Sequence, residues 1–216
     1  MLVFSRHQTQ RAVPIMKINK YIILLLCALF LAVKTQAESV DDIPKTQEEM
    51  VNNIGVFGGI GTDDNIQQIM EGKIHFKSGM VGVSAQKDLV NITPSTQFNV
   101  EGQLIQHFKA QTCQEITMAL LIKASNVFNA EKVPLNFTIG DGLSLLVGSV
   151  PKLESHQAKP RRLLNYFFLE AATPLPRKDT EIFFRWHHRC HMFGLMAPNG
   201  TGSNFFLLGV RFKLEP

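Results

Sequence analysis

The chain contains few cysteines and no long apolar segment, and each shortage excludes a class of protein. Three cysteines in 216 residues are too few for a disulfide framework. The longest uninterrupted apolar run covers residues 21–33, which is shorter than a transmembrane helix requires. A helical pattern is confined to residues 64–70, and the heptad repeat of a coiled coil is missing. With 45% hydrophobic and 19% charged residues, the composition is not that of a disordered protein.

The apolar run belongs to a predicted secretory signal peptide over residues 1–37. Lys17 and Lys20 precede the run, and Thr35-Gln36-Ala37 follows it as a small-x-small cleavage site. Met16 is the expected initiator, and the alternative interpretation of the run is a retained membrane anchor. We expect a mobile N-terminal segment over residues 38–52, because it is polar and acidic, and a folded domain over residues 53–216.

The chain also has no excess of basic or acidic residues once residues 1–37 are left out of the count. The whole chain has 22 basic and 18 acidic residues. Five of the basic residues and no acidic residue lie in residues 1–37, which leaves 17 basic residues against 18 acidic residues. The basic character therefore belongs to the leader, and the sequence predicts no nucleic-acid partner.

What the chain does contain is a series of eight alternating runs separated by turn residues, which predicts an all-β fold. The predicted strands are Asn53–Ile60, Ile74–Gln86, Thr96–Phe108, Glu115–Ala124, Leu135–Leu146, Leu164–Ala172, Thr180–Met192 and Asn204–Leu214. Most have about the length of a tilted strand that crosses a membrane.

These runs favour an eight-stranded antiparallel transmembrane β-barrel in the bacterial outer membrane. Three observations favour this barrel: the predicted signal peptide indicates export, the number of long strands is even, and the polar strand faces suit a narrow lumen. A closed barrel also leaves no unpaired sheet edge in lipid. A soluble secreted β-domain is the rival, because its strands alternate as well.

The densest group of reactive side chains is Arg185-Trp186-His187-His188-Arg189-Cys190-His191 in the seventh run. In a strand, His188 and Cys190 face one way, whereas His187 and His191 face the other. Two ligands on each face cannot close a tetrahedral metal site without other partners, so we predict no metal.

His188 and Cys190 instead form a candidate base and nucleophile, because they are two residues apart on one face. Phe184 and Trp186 share that face, so the pair is expected to face lipid. Such a placement suits an enzyme whose substrate is a membrane lipid. The alternative is that Cys190 is a small apolar side chain and His188 an interfacial one.

The final strands resemble the lipid A 3-O-deacylase family of the Gram-negative outer membrane, and more closely a divergent branch related to it. The matching residues are Gly140-Asp141-Gly142-Leu143-Ser144, Leu163-Leu164-Asn165-Tyr166 with Glu170, His187-His188-Arg189-Cys190-His191-Met192-Phe193-Gly194-Leu195, Pro198-Asn199-Gly200, and Ser203-Asn204 before residues 208–212. The resemblance covers roughly residues 134–214, and the first half matches only in its general barrel character.

The resemblance implies a hydrolase that removes an ester-linked acyl chain from lipid A, with no metal or organic cofactor. Its partners would be lipid A or lipopolysaccharide and the outer-membrane bilayer, and a homodimer is left open. Carried over by residue, it implies His188 as the base and Cys190 at the position of the nucleophilic serine. The remaining candidates are Asn204 and Glu170 as orienting residues, with Asn199 a further possibility for that role, and Trp186, Arg189 and Asn199 as substrate-binding residues.

The sequence departs from the family pattern at two points, and these departures keep open the hypothesis of a non-catalytic barrel. Cys190 stands where the family has serine, and the last strand supplies no acid. A thiol can attack an ester, and more readily when a histidine lowers its pKa, but the change also fits a non-catalytic barrel that binds lipopolysaccharide or maintains the envelope. A disulfide between Cys113 and Cys190 would remove the nucleophile.

A further expectation concerns the lumen of the barrel, where Asp141 is expected to pair with Arg185.

Overall fold

The structure of the chain, a computed structural model, describes residues 51–128, 134–148, 153–154, 161–176, 179–198 and 200–214. The predicted signal peptide and nearly all of the predicted N-terminal segment lie outside these residues, and so does Asn199. Within the described ranges, no α-helix is long and apolar enough to cross a bilayer.

Eight antiparallel strands form a closed barrel, in which each strand pairs with its neighbours in sequence and the first strand pairs with the last. The strands are β1 (Asn53–Thr62), β2 (Ser78–Thr93), β3 (Thr96–Lys109), β4 (Cys113–Ala124), β5 (Asn136–Gly148), β6 (Leu163–Pro174), β7 (Thr180–Cys190) and β8 (Gly202–Lys213). The predicted number of strands, their pairing and the closed barrel are confirmed.

One short helix, α1 (Ile66–Met70), lies on the connection between β1 and β2. It begins after Asn65, whose side chain accepts a hydrogen bond from the backbone N–H of Gln68 at 2.9 Å. The Gln68 side chain accepts one from the Asn65 N–H in return, also at 2.9 Å. This capping box explains why the helical pattern starts at this point.

The second strand differs most from its prediction. It begins at Ser78 rather than Ile74 and continues to Thr93, through residues whose Asp and Asn content predicts a turn. The register with β3 shifts after Asp88 and again after Asn91. Bulges place an extra residue on one strand without ending the ladder, so these turn-forming residues are accommodated inside β2.

The interior of the barrel is filled with charged and polar side chains. Arg185, Arg189 and Arg211 are all at most 1% exposed. Arg185 is bonded to Glu101 at 2.6 Å and to Glu170 at 2.5 Å. An eight-stranded barrel is just wide enough for side chains to fill it, so the described part of the lumen is packed by ion pairs rather than open as a channel.

The outside of the barrel is apolar. Side chains that alternate with the buried ones are large and exposed, including Leu104 (60%), Met118 (66%) and Leu208 (60%). An apolar outward surface around a polar interior is the pattern of a barrel in lipid, the reverse of a soluble protein.

Candidate functional site

A group of polar side chains interrupts the apolar outside of β5 to β8. Register pairs Asp141 with Phe167, Phe167 with His188, and His188 with Asn204, and it pairs Cys190 with Asn165. We call this group the outer polar strip; it consists of Asn204, Trp186, His188, Cys190, Asn165 and Asp141. Neighbouring strands in register present these side chains on one face, so the sheet itself assembles the strip.

Asn204 fixes the proton on one nitrogen of His188. The Asn204 Nδ2 donates to the backbone oxygen of Asp64 at 2.9 Å, which leaves Oδ1 directed at the two neighbouring rings. Trp186 Nε1, which can only donate, bonds to this Oδ1 at 2.9 Å. His188 Nδ1 lies 2.7 Å from the same atom and must therefore carry the hydrogen. The lone pair of His188 is then on Nε2, which makes Nε2 the basic atom.

Cys190 is a free, partly exposed thiol on the same face. Its Sγ donates a hydrogen bond to Asn165 Oδ1 at 3.4 Å, so the thiol in this structure is directed toward β6 rather than toward His188. Cys113 is also free, and it is buried. The disulfide considered from the sequence is therefore not formed, and Cys190 is available as a nucleophile.

Asn165 and Asp141 are site residues that sequence reasoning did not assign. Asn165 Nδ2 donates to Asp141 Oδ1 at 3.0 Å and to the backbone oxygen of Gly142 at 2.9 Å. The expected pairing of Asp141 with Arg185 in the lumen is wrong, because Asp141 is exposed on the outside of β5. The sequence did contain a signal for the outward position of Asp141, because strand alternation places it on the same face as the apolar residues Ile139 and Leu143.

Two predicted site residues point into the lumen, away from His188. Glu170 is 2% exposed and binds Arg185 and Arg211, so it does not orient His188. Arg189 is fully buried and donates to Ser144 at 2.8 Å and to Glu154 at 2.5 Å. Its predicted contact with a lipid substrate is corrected, because a lumenal side chain cannot reach a lipid outside the barrel.

The connection after β1 holds the Asn204 side chain in place through the backbone oxygen of Asp64. The Asp64 carboxylate accepts hydrogen bonds from Thr62 Oγ1 and from the His75 backbone N–H, both at 2.6 Å. Burial opposes ionisation, but these hydrogen bonds and the nearby His75 ring hold the pKa of Asp64 below its usual range. The ionised carboxylate thus holds the Asp64 backbone oxygen where it can accept from Asn204.

We expect acid to loosen this support. A carboxyl with a lowered pKa contributes its stability above its unfolded pKa, about 3.9, and loses that stability as the pH falls through its folded pKa. Trp186, the one tryptophan of the chain, donates to Asn204 and will report the change by fluorescence. Asp64→Ala should give the acid-form emission already at neutral pH. Glu71→Gln, on the same connection but exposed, should titrate like the native protein; an unchanged spectrum in Asp64→Ala would contradict the support.

Among the described residues, no group of three or more histidine, cysteine, aspartate or glutamate side chains is arranged to hold a metal ion. The outer polar strip itself offers one basic nitrogen, one thiol, one indole N–H, two hydrogen-bonded carboxamides and one carboxylate, all on the outside of the barrel.

The barrel resembles several solved structures. One of them, the outer membrane enzyme PagL, has a TM-score of 0.55 and 8% sequence identity, with 75% of this chain and 99% of that chain covered. Another, Neisserial surface protein A, has a TM-score of 0.44 and 10% identity, with 75% of this chain and 96% of that chain covered. No protein-family model and no curated protein sequence matches the chain.

At these identities the likeness shows the fold alone. The fold is a closed eight-stranded antiparallel barrel of the outer-membrane type. Because its outward side chains are also apolar, the protein is located in the bacterial outer membrane, as the sequence predicts.

Proposed function

We propose that this protein hydrolyses an ester-linked acyl chain of lipid A at the outer polar strip. Cys190 is the nucleophile, His188 the base and Asn204 the residue that orients His188. The observation that carries the proposal is the fixed tautomer of His188, with Nδ1 bonded to Asn204 and Nε2 left as the base on the lipid-facing side. A cysteine and histidine oriented by asparagine form a known hydrolytic arrangement.

The reaction follows from these roles. His188 Nε2 takes the proton from the Cys190 thiol, and the sulfur attacks the ester carbonyl carbon. The tetrahedral intermediate collapses, the C–O bond breaks, and the departing alkoxide takes the proton from His188. Water then attacks the thioester, with His188 accepting its proton and returning it to the sulfur, and the fatty acid leaves. The thiol must first rotate away from Asn165 to meet His188, which it follows by two residues on the same face.

The position of the strip along the barrel supports a substrate in the outer leaflet. The strand connections at the end near Cys190 are residues 63–77, 110–112, 149–162 and 191–201, and those at the other end are residues 94–95, 125–135 and 175–179. Longer connections mark the extracellular end of such barrels. The thiol would thus lie in the leaflet that lipopolysaccharide occupies, where Trp186 can contact an acyl chain.

A non-catalytic barrel is the second candidate, and the hydrogen bond from Cys190 to Asn165 favours it. In that case the polar strip binds lipopolysaccharide without cleaving it, and cysteine at the position of serine marks the lost activity. Both candidates share the fold and the lipid-facing strip, so only a measurement of product separates them.

The test is mass spectrometry of lipid A from a Gram-negative host that expresses the native chain or His188→Ala. Loss of one acyl chain with the native protein only is the expected result, because the alanine variant has no base. Heat-dependent gel mobility must show both proteins folded in the outer membrane. Unchanged lipid A from the folded native protein would overturn the hydrolase proposal and favour the non-catalytic barrel.

A further inference from the structure

Asp141 is placed where a carboxylate is unfavourable. It lies in the middle of β5, exposed on the outside between Ile139 and Leu143, which are exposed to 46% and 52%. Among the strand residues that the structure describes, it is the single carboxylate on the outward face. An ionisable group at such a position costs free energy and marks a functional site by default.

The packing of the barrel does not account for Asp141, although it accounts for the glycines on either side. A Cβ on Gly140 would lie 2.1 Å from the Phe168 ring, and one on Gly142 would lie 2.0 Å from the backbone oxygen of Met118. Both positions therefore require glycine. The Asp141 side chain takes no part in the buried ion pairs of the lumen, so a structural role inside the barrel does not explain it.

Nor is Asp141 needed to hold Asn165. Asn165 Nδ2 also donates to the Gly142 backbone oxygen at 2.9 Å, and its Oδ1 is bonded to the Cys190 thiol. Within the described residues, the hydrogen bond to the Asp141 carboxylate involves Oδ1 alone and leaves Oδ2 open on the lipid face. Asp141 therefore presents an unused acceptor that is two hydrogen bonds away from the candidate nucleophile.

We infer that Asp141, steadied by Asn165, is a specificity-determining subsite that accepts a hydrogen bond from a hydroxyl group of the lipid substrate near the cleaved ester. This inference rests on the proposed function and extends it to the choice of substrate. A carboxylate accepts from hydroxyl groups and repels phosphate, so the subsite faces a neutral sugar, glycerol or hydroxyacyl part of the lipid rather than a phosphate. In lipid, where no water competes, a substrate without that hydroxyl leaves the acceptor unpaired.

The test compares matched esters with the purified native barrel in detergent micelles. One pair is p-nitrophenyl dodecanoate and its 3-hydroxy analogue, which places the hydroxyl on the acyl chain. The second pair is monododecanoylglycerol and its dimethyl ether, which places it on the alcohol. The native protein should favour the hydroxyl-bearing member of one pair by about tenfold or more in kcat/KM, as a hydrogen bond to a charged group implies.

Asp141→Leu should reduce that preference to about one, through a higher KM or a lower kcat/KM for the hydroxyl-bearing ester alone. Leucine suits the lipid face, so the variant is expected to fold. Gln114→Leu, another outward polar side chain on β4, is the matched control and should keep the preference. No preference in the native protein for either pair, or a preference that survives Asp141→Leu, would overturn the inference.

A second readout separates this inference from the proposed hydrolysis. Ether analogues of the same lipids cannot be cleaved, and their binding can be followed through the fluorescence of Trp186, the sole tryptophan. If the native protein hydrolyses nothing but binds the hydroxyl-bearing ether lipid more tightly, and Asp141→Leu loses the difference, the hydrolase proposal fails and the subsite stands. Equal binding of each ether pair by the native protein would overturn the subsite.

Discussion

Replacing Arg185 with methionine is expected to lower the free energy of unfolding of the barrel by about 3–5 kcal/mol. Arg185 is fully buried and donates to Glu101 at 2.6 and 3.0 Å and to Glu170 at 2.8 and 2.5 Å. It also donates to the Tyr166 hydroxyl at 3.1 Å. Methionine fills a similar volume but leaves the buried Glu101 carboxylate without a bonded cation, while Glu170 keeps only Arg211. Removing one partner of a buried ion pair costs far more than the pair contributes. Urea unfolding in phospholipid vesicles, read by gel mobility, measures the change.

A double variant tests whether the lost charge balance is the cause. Glu101→Gln removes the carboxylate that Arg185→Met leaves without a bonded cation, so Arg185→Met with Glu101→Gln should be more stable than Arg185→Met alone. Lys213→Met, an exposed change at the end of β8, should stay within about 0.5 kcal/mol of the native protein. An Arg185→Met protein as stable as the native one would show that the lumenal ion pairs do not hold the barrel together.

The sequence predicts the fold well because strand alternation is a local property. The number of strands and the two faces of β7 follow from residues that are neighbours in the chain. Closure is predicted on a different ground, because an open sheet would leave unpaired edges in lipid. The boundaries of β2 do not follow, because the bulges that carry Asp88 and Asn91 inside the strand depend on pairing with β3. A turn propensity cannot reveal that a partner strand continues alongside it.

The candidate site is predicted less completely, since it depends on how strands align. That His188 and Cys190 share a face follows from β7 alone. That Asn204 lies opposite His188, and Asn165 opposite Cys190, requires the register of three strands. Glu170 shares its strand with Asn165, but the odd separation of five residues puts it on the other face, among the lumenal arginines. The motif resemblance proposed Glu170 and Arg189 as site residues. Arg189 is adjacent to His188 in β7, so alternation within that strand already places it in the interior.

Replacing Cys190 with alanine is expected to reduce ester hydrolysis by about 10³-fold or more, whereas Cys190→Ser should keep or increase the activity. Alanine offers no atom to attack the carbonyl carbon, so the covalent route is closed. Serine keeps an acidic hydrogen on the same face as His188 Nε2, and its hydroxyl can transfer that proton to the base. Kinetics with p-nitrophenyl dodecanoate in micelles, on proteins shown to be folded by gel mobility, give both rates.

The role of Cys190 as the nucleophile can also be tested without measuring a rate, by trapping the covalent acyl-enzyme intermediate. Rapid quenching during turnover should leave the native chain heavier by one acyl group, in a thioester that hydroxylamine removes, and the modified peptide should contain Cys190. Cys113→Ser is the matched control, because Cys113 is the other thiol of the barrel and is buried toward the lumen, so its loss should leave the acylation unchanged. Hydrolysis that persists in Cys190→Ala would show that another group attacks the ester. No activity in the native, serine and alanine forms alike, with all three folded, would contradict the hydrolase proposal and favour the non-catalytic barrel.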